Sequence, residues 1–305
     1  MTAKVKLILN PIANLGRARS AATELEQIVS GIGGADWITS LHPNHASELA
    51  RQAATEGYDT VVAMGGDGTM HEVLNGLMQV PEAQRPKLGM VPLGSGNDFA
   101  FACGISAKPE DAIRQALTGA PRVVDIGYFQ AENGKKEYWA NAIGIGFDTI
   151  VTLHSRKVPF VQGFAVYLIA VLQTILFDYK PFHLSMKVDD VPSNHDYLML
   201  VLMNGKREGG GFHVTPDSRP DDGHLDYLAI NRISRLKMLR ILPEVMSGTQ
   251  ARMKDCTLGT FKTFDLVSRQ PLFIHLDGEI FSTPETKPVT TLSAGIMPAA
   301  IQVVC

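Results

Sequence analysis

The apolar residues in the first part of the chain form short runs that alternate with amphipathic stretches. Apolar and β-branched runs at residues 4–9, 37–41, 60–64 and 88–93 predict buried strands. Helical spacing of apolar positions between them, as in residues 45–56, predicts connecting helices. This alternation predicts a doubly wound parallel sheet, which binds ligands at the carboxyl ends of its strands.

The pattern changes after residues 122–127, where short alternating runs replace the repeat of strand and helix. The runs at residues 138–143, 184–188, 197–203, 225–230 and 261–267 predict half-buried antiparallel strands. Residues 160–177 and 236–246 predict inserted helices. We therefore expect an α/β domain at residues 1–125 and a β-rich domain at residues 126–287, with a tail, about residues 288–305, that can return to the first domain.

Residues 160–177 are the one stretch long enough to be considered as a membrane span. Gln162, Gly163 and Gln173 interrupt it, and its flanks lack a strong charge asymmetry. We therefore expect a buried or membrane-facing helix. The apolar run near the N-terminus is only as long as a strand and ends at Pro11, so it does not predict a secretory signal.

The composition is that of a globular protein with ordinary cores. The chain has 305 residues, of which 45% are hydrophobic, and this length predicts roughly two domains. A formal net charge of −3 argues against a general nucleic-acid partner, although it allows a local basic face. Three widely spaced cysteines without a CxxC pair indicate a reduced, cytoplasmic compartment.

A glycine turn at residues 65–69 (GGDGT) joins the third predicted strand to its helix. Its three glycines are expected to adopt positive φ and to leave successive N–H groups pointing at an anion. Thr69 and Glu72 have the spacing of a capping box, which predicts a helix that begins at Met70. Phosphates suit the N-terminal end of such a helix, and the Asp67 carboxylate could hold a metal bound to them.

Two further turns follow predicted strands. Asn10-Pro11 ends the first strand, and a second glycine turn at residues 94–98 (GSGND) follows the fourth. In a parallel sheet both turns lie at the carboxyl edge, beside residues 65–69. None of the GxG turns has the third glycine of a dinucleotide fingerprint, and the chain has no Walker lysine motif.

The run at residues 65–69 resembles the signature shared by diacylglycerol kinases, sphingosine kinases, NAD kinases and phosphofructokinases. Further motifs narrow the resemblance to the bacterial diacylglycerol kinase-like lipid kinases over nearly the whole chain. These motifs are Asn10-Pro11 with Gly16-Arg17, residues 92–98, residues 144–148, residues 209–211, Pro216 with Asp222-Gly223, and residues 276–279. The resemblance implies an N-terminal doubly wound, Rossmann-like α/β domain, a C-terminal mainly antiparallel β-sandwich domain, ATP and Mg²⁺, and a lipid hydroxyl as acceptor.

The resemblance also implies an ATP site made by the turns at the carboxyl edge of the sheet. Its residues here are Asn10, Pro11, Ile12, Ala13, Asn14, Ser40, Gly65, Gly66, Asp67, Gly68, Thr69, Met70, His71 and Ser95. The sequence departs from the family at two of them. Family members more often have threonine in place of Ser40 and asparagine in place of His71.

Glu279 is the residue that the resemblance implies as general base for the acceptor hydroxyl. An ordinary glutamate has a pKa of about 4.3 and is a poor base at neutral pH. Burial or a neighbouring acid, Asp67 or Asp98, is therefore expected to raise the pKa of Glu279. Two alternatives stay open: residues 277–279 form only a hairpin turn, or Asp98 is the base and Glu279 tunes it.

Residues 219–224 (RPDDGH) combine acids and a glycine, as loops that bind a cation through oxygen ligands do. As a lone pattern, such a stretch is more often a plain turn. The resemblance implies a structural Mg²⁺ held by the carboxylate of Asp222 and the main-chain oxygens of Arg219 and His224. This ion is separate from the Mg²⁺ that accompanies ATP.

A kinase acting on a lipid must reach a membrane surface. The second predicted helix of the β-rich domain carries Arg235, Lys237 and Arg240 together with an apolar face of Leu236, Leu239 and Leu242. A solvated basic helix packed on the β-rich domain is an equally good interpretation. We expect a cytoplasmic protein with transient, peripheral membrane association, no nucleic-acid partner, and a homodimer as an open possibility.

Three functions fit the sequence, and an ATP-dependent lipid kinase is preferred. An NAD kinase would have an Asn-Glu pair after the second glycine turn, where this chain has Asn97-Asp98. A non-catalytic lipid-binding protein on the same fold would not need Asp67, Asp98 and Glu279 intact. The sequence does not name the lipid, since diacylglycerol, phosphatidylglycerol and sphingoid bases all fit.

Overall fold

The computed structural model describes residues 3–14, 16–132, 134–158, 161 and 163–305. They form two compact units, one of Met1–Ile126 with Pro298–Cys305 and one of Gly127–Met297. We call them the N-terminal and the C-terminal unit. No helix in the described ranges combines the length and the apolar content that crossing a membrane requires.

The N-terminal unit is built on parallel strands in the order β2, β1, β3, β4. The strands are β1 (Val5–Leu9), β2 (Asp36–Thr39), β3 (Thr60–Gly65) and β4 (Lys87–Pro92). The helices are α1 (Arg17–Ile32), α2 (His45–Thr55), α3 (Asp67–Leu77), α4 (Asp98–Cys103) and α5 (Pro109–Thr118). Every residue of β3 is buried, as expected for a central strand covered on both faces.

The helices lie on both faces of this sheet. α1 packs with α5, and α2 packs with α3. In the strand order, β2 lies next to β1 on one side, and the chain then crosses back so that β3 lies next to β1 on the other side. The topological switch point therefore lies between the carboxyl ends of β1 and β3, where open α/β sheets bind their ligands.

Two long strands contribute residues to both units. They are β5 (Pro121–Ala131) and β15 (Thr291–Val304). In the N-terminal unit, Val303 of β15 pairs in parallel with Leu88 of β4. The Asp125 carboxylate of β5 accepts the Ala299 N–H at 2.7 Å.

The C-terminal unit is mainly antiparallel. Its strands are β6 (Lys136–Trp139), β7 (Ala142–Gly146), β8 (Phe182–Val188), β9 (Val191–Met203), β10 (Leu225–Asn231), β11 (Cys256–Phe261), β12 (Thr263–Ser268), β13 (Ile274–Leu276) and β14 (Glu279–Ser282). Its helices are α6 (Phe147–Ser155), α7 (Phe164–Phe177) and α8 (Arg235–Ser247). Leu200 and Leu202 of β9 face one apolar core, and Val201 and Met203 face a second core that includes side chains of all three helices.

Three strand predictions for this unit differ from the structure. The predicted strand 197–203 is buried on both faces, because the helices cover the face expected to be in solvent. The predicted strand 138–143 is two strands, separated where the N–H groups of Ala140 and Asn141 donate to the Asp277 carboxylate. The predicted strand 261–267 crosses the turn from β11 to β12, where the Lys262 N–H donates to Asp189 at 2.8 Å.

The two predicted helices are present with shifted limits. α7 begins at Phe164, and Phe160 and Gln162 of the predicted stretch lie outside the described residues. α8 is one residue longer at each end than predicted. Ser234 caps it by accepting the Lys237 N–H at 3.3 Å.

Candidate active site

The turn from β3 to α3 carries the first set of predicted site residues. α3 begins at Asp67, with Gly66 as its N-terminal cap, and no side chain caps it. The expected capping box and the start at Met70 are therefore wrong. The Thr69 hydroxyl instead accepts a hydrogen bond from Nδ2 of Asn10 at 3.0 Å, which ties the turn after β1 to the turn after β3.

The other half of the expected capping box, Glu72, serves a different helix. Its two carboxylate oxygens accept the N–H groups of Asn44 at 2.8 Å and Ala46 at 3.1 Å. Both groups lie at the N-terminal end of α2, where the first N–H groups lack partners within the helix. Glu72 thus fixes α2 to α3, and the first turn of α3 is left without a carboxylate cap.

The two glycine turns meet through their backbones. A Cβ at Gly94 would lie 2.4 Å from the Cα of Gly66 and 2.9 Å from Oδ1 of Asn97. Gly66 is extended, with φ −94, and none of the described glycines with positive φ belongs to residues 65–69. The expected positive φ is therefore wrong, and glycine is needed here because the two chains approach so closely.

Asp67 joins the two turns by hydrogen bonds. Its carboxylate accepts the N–H of Asn97 at 2.7 Å and the N–H of Asp98 at 2.9 Å. The Asn97 side chain closes the second turn by accepting the Gly94 N–H at 3.0 Å and donating to the Gly94 carbonyl at 2.9 Å. Asp67, Asn97 and Asp98 therefore form one rigid edge at the ends of β3 and β4. Asp98 is buried in this edge.

The remaining predicted nucleotide residues lie after β1 and β2 or in α3. Oδ1 of Asn10 accepts the Ile12 N–H at 3.2 Å, and Asn14 has a positive φ of 52 within the same turn. The Ser40 N–H donates to the Leu9 carbonyl at 2.8 Å, which places Ser40 beside that turn. His71 is buried in α3, and its carbonyl accepts from Asn75 at 2.9 Å.

Leu41 is a feature of this edge that the sequence analysis missed. Leu41 and Ile12 are each 78% exposed, and they follow the neighbouring strands β2 and β1. Two large apolar side chains held in solvent at the ligand edge of a sheet can contact a flat ring. Ser95 is exposed in the second glycine turn.

Glu279 begins β14 in the C-terminal unit. Its side chain is 51% exposed, and its carboxylate forms an ion pair with Nη2 of Arg156 at 2.9 Å. The same guanidinium nitrogen donates to the Gly278 carbonyl at 2.8 Å. Burial, the first of the two influences expected to act on Glu279, is therefore absent, and its partner within the unit is a cation that the sequence analysis did not identify.

Asp277 holds the turn in front of Glu279. The Asp277 carboxylate accepts N–H groups of Ala140 at 2.9 Å, Asn141 at 2.8 Å and Ala142 at 3.1 Å, and the residue is buried. Its backbone has a positive φ of 48, which only such an over-determined turn maintains. Asp277 therefore fixes the backbone from which Glu279 projects.

A histidine and two acids lie directly behind this turn. Nε2 of His275 is 2.7 Å from Oδ2 of Asp148 and 3.4 Å from Oε1 of Glu208. Nδ1 of His275 accepts the Gly278 N–H at 3.2 Å, and the ring is fully buried. Gly144 is required beside them, because a Cβ there would lie 1.9 Å from Oδ2 of Asp148 and 2.2 Å from Nε2 of His275.

The predicted cation loop is exposed and rich in carboxylates. Oδ1 of Asp222 accepts the His224 N–H at 3.0 Å, and Arg219 contacts Asp221 at 3.4 Å. Burial, followed by the negative charges of Asp222 and Asp217, raises the pKa of Asp226 next to the loop, although a Ser218 hydrogen bond and His224 oppose this. Mutually repelling carboxylate oxygens fit a hard cation such as Mg²⁺.

Comparisons with known families cover both units. The family described as the diacylglycerol kinase catalytic domain matches residues 4–129. The family described as the YegS C-terminal NAD kinase beta sandwich-like domain matches residues 141–305.

Individual relatives agree with these matches. A Chromohalobacter salexigens protein named "Probable lipid kinase YegS-like" is 32% identical over 268 residues, which are 87% of this chain and 80% of the relative. A Yersinia enterocolitica protein of the same name is 30% identical and covers 78% of this chain and 77% of its own length. A solved structure of a diacylglycerol kinase from Bacillus anthracis superposes with a TM-score of 0.73 at 18% identity, covering 99% of this chain and 96% of its own. A second structure from that organism superposes with a TM-score of 0.79 at 20% identity, with the same coverage of both chains. This chain therefore has the same fold as these two structures.

Proposed function

The chain belongs to the family of lipid kinases that joins a diacylglycerol kinase catalytic domain to a YegS-type C-terminal domain, and we propose that it transfers the γ-phosphate of ATP to the hydroxyl of a membrane lipid. The observation that supports this most directly is the edge made by Asp67, Asn97 and Asp98. It holds the glycine turn after β3, which lies at the topological switch point, against the glycine turn after β4. Phosphates are bound at such switch points in open α/β sheets.

The N-terminal unit binds ATP and positions its phosphates. The first N–H groups of α3 have no side-chain cap, so they can donate to the phosphates, and the glycines let the chain approach them. Ile12 and Leu41 contact the adenine ring from the neighbouring strand ends. The predicted set of nucleotide residues, from Asn10 to Ser95, forms the remainder of this site.

On the acceptor side, the C-terminal unit supplies the proton acceptor. Glu279 takes the proton of the lipid hydroxyl, and Arg156 holds the carboxylate in place until the substrate binds. Asp277 fixes the turn that carries Glu279. Asp98 is the second candidate for this role, because it is a buried carboxylate on the phosphate-binding edge.

Mg²⁺ supplies neutralisation of the phosphate charge in reactions of this type. Asp67 is the acidic residue in the first turn of α3, and its carboxylate would hold this ion beside the phosphates. A separate structural Mg²⁺ would be held by Asp222 with the main-chain oxygens of Arg219 and His224.

The substrate class is a lipid alcohol at the cytoplasmic surface of a membrane. Diacylglycerol is the first candidate, and phosphatidylglycerol and sphingoid bases are the others. An NAD kinase activity has one specific observation in its favour, the NAD kinase-like description of the C-terminal family. Against it, the second glycine turn has Asp98 rather than a glutamate after Asn97.

The test is transfer of labelled phosphate from ATP to a panel of lipids, with NAD as a competing acceptor. We expect a phosphorylated lipid, a requirement for Mg²⁺, and loss of transfer in a folded Asp67→Ala protein. Label on NAD in place of lipid would identify the second function. Label on neither acceptor, with ATP still bound, would overturn both.

A further inference from the structure

Helices α7 and α8 expose an unusual share of the large apolar side chains. Among the described residues, eleven such side chains are exposed, and five of them lie on these two helices. They are Leu172, Leu176 and Phe177 on α7, and Leu236 and Leu239 on α8. Single exposed apolar residues are ordinary, but a group of them on neighbouring helices indicates a surface that is covered in use.

The two helices belong to one packed layer. Val171 and Ile175 of α7 and Met238 and Ile241 of α8 lie in the same apolar core of the C-terminal unit. α7 packs against α8 directly. The exposed side chains therefore project from a rigid layer, and we call this surface the α7–α8 face.

A pocket lies where the end of α7 meets the start of α8. It has a volume of about 510 Å³ and is lined by Tyr179, Arg232, Ile233, Ser234 and Arg235. The Tyr179 hydroxyl donates to the Ile233 carbonyl, and the Arg235 guanidinium lies 5.5 Å from the centre of the Tyr179 ring. The ring contact holds the Arg235 guanidinium at the pocket.

Two arginines line the pocket, although the formal net charge of the whole chain is −3. They are Arg232 and Arg235, and Lys180 directly follows Tyr179 of the pocket lining in the chain. Two of these cations have long contacts to acids, Arg232 to Asp196 at 3.5 Å and Lys180 to Asp178 at 3.6 Å. Exposed pairs at such distances contribute little, so the cations remain available to an anionic partner.

We infer that the α7–α8 face is the surface by which this protein docks on a bilayer that contains anionic lipids. Phe177, Leu176 and Leu236 enter the boundary between headgroups and acyl chains, and Arg232 and Arg235 hold a lipid phosphate in the pocket. With 14 residues, α7 is too short to span a bilayer, but it suits a helix that lies in the interface. This inference rests on the proposed lipid kinase function.

Binding to vesicles tests the docking surface. The full chain is mixed with vesicles of phosphatidylcholine alone, or of phosphatidylcholine and phosphatidylglycerol in equal parts, and the bound fraction is measured by sedimentation. We expect binding to the mixed vesicles that weakens as salt is raised, because salt screens the attraction between exposed charges. Equal binding to both vesicle types at all salt concentrations would overturn the role of the arginines.

Single substitutions assign the binding to this face. Phe177→Ser should weaken binding to the mixed vesicles about tenfold through lost apolar burial, and Arg235→Glu at least about fivefold through lost attraction to anionic lipid. The matched controls are Val191→Ser, another exposed apolar residue, and Lys108→Glu, another exposed cation. Equal losses in test and control variants, with unchanged melting temperatures, would show that the face is not the docking surface.

Activity on a monomeric acceptor separates this inference from the proposed function. With a short-chain, water-soluble diacylglycerol, Phe177→Ser and Arg235→Glu should match the unmodified protein, whereas with vesicle-borne diacylglycerol they should be slower. If the substitutions leave the phosphorylation of both acceptors unchanged, the docking surface is overturned and the proposed kinase function stands. No phosphorylation of any lipid, with vesicle binding intact, would overturn the kinase function and leave a lipid-binding protein.

Discussion

His275 accepts the N–H of Gly278 through Nδ1 at 3.2 Å, while its Nε2 lies 2.7 Å from the Asp148 carboxylate. Both contacts are satisfied by a neutral ring that carries its proton on Nε2. A metal bound at Nε2 would require the ring proton to be on Nδ1. Nδ1 would then be a donor facing the Gly278 N–H, which is also a donor, and that hydrogen bond would be lost. The group of His275, Asp148 and Glu208 is therefore better described as a hydrogen-bonded support than as a metal site.

His275 lies behind the turn that carries the proposed base, Glu279. Its two hydrogen bonds, to Gly278 through Nδ1 and to Asp148 through Nε2, can be tested separately by substitution. His275→Asn retains an acceptor near the Nδ1 position, and His275→Gln retains a donor near the Nε2 position. We expect kcat to fall less in the Asn variant, because the turn before Glu279 keeps its hydrogen bond. Steady-state kinetics with lipid varied would check this, and a larger fall in Asn than in Gln would contradict it.

The close approach of Gly66 and Gly94 predicts a second effect. Gly94→Ala places a Cβ 2.4 Å from the Gly66 Cα, so the two turns must separate. We expect a loss of about 1–3 kcal/mol in the free energy of unfolding, and weaker ATP binding. Equilibrium denaturation and ATP titration measure the two quantities.

Gly31→Ala is the matched control for this change. Gly31 lies in α1, has no positive φ, and would place its Cβ in open space. Alanine there should stabilise the protein by up to about 1 kcal/mol and leave ATP binding unchanged. Similar free energies of unfolding for Gly94→Ala and Gly31→Ala would show that the two turns can separate without loss of stability.

The fold class and the family could be predicted because they depend on local patterns. The alternation of strands and helices predicts the parallel sheet, and the turns around Gly66 and Gly94 fall at its carboxyl edge as expected. The capping box failed for a tertiary reason. Thr69 and Glu72 have the right spacing, but Asn10 and the start of α2 compete for their side chains.

The partners of the site residues could not be predicted, because they are far away in the sequence. Arg156 is 123 residues from Glu279, and Asp148 is 127 residues from His275. The only local signal for His275 was its place directly before the motif at residues 276–279. Gly144 lies in the motif at residues 144–148, but the reason for a glycine there could not be predicted, because it depends on Asp148 and on the distant His275.

The cation loop predicts opposite effects with and without Mg²⁺. Asp222→Asn keeps an oxygen that can accept the His224 N–H, but it removes one of the charges that raise the pKa of Asp226. In chelator the variant should therefore melt at the same temperature as the unmodified protein or higher. In excess Mg²⁺ it should melt lower, by about 2–4 °C for each kcal/mol of lost ion binding.

Thermal melts of both proteins with Mg²⁺ and with chelator make this comparison. Asp221→Asn is the matched control, since Asp221 contacts Arg219 and is not a proposed ligand. A Mg²⁺-dependent shift that survives in Asp222→Asn, or one that is absent from the unmodified protein, would leave the loop as a plain turn.

The ion pair of Glu279 with Arg156 predicts how the proton acceptor responds to substitution. Glu279→Gln keeps the shape of the side chain but cannot accept a proton, so kcat should fall by about 10² to 10⁴. ATP affinity should stay the same, because the proposed phosphate contacts come from the N-terminal unit. Asp98→Asn, measured in parallel by ATP binding and single-turnover transfer, tests the second candidate.

Arg156 distinguishes placement of the base from the base itself. Both side chains of the pair are about half exposed, so breaking it should change the melting temperature little. Arg156→Gln should lower kcat because the carboxylate loses its orientation, and Arg156→Lys should recover part of the loss because the charge is kept. If Glu279→Gln transfers phosphate at a near-normal rate while Asp98→Asn does not, Asp98 is the base, and the Arg156 contact serves only to order the turn at residues 277–279.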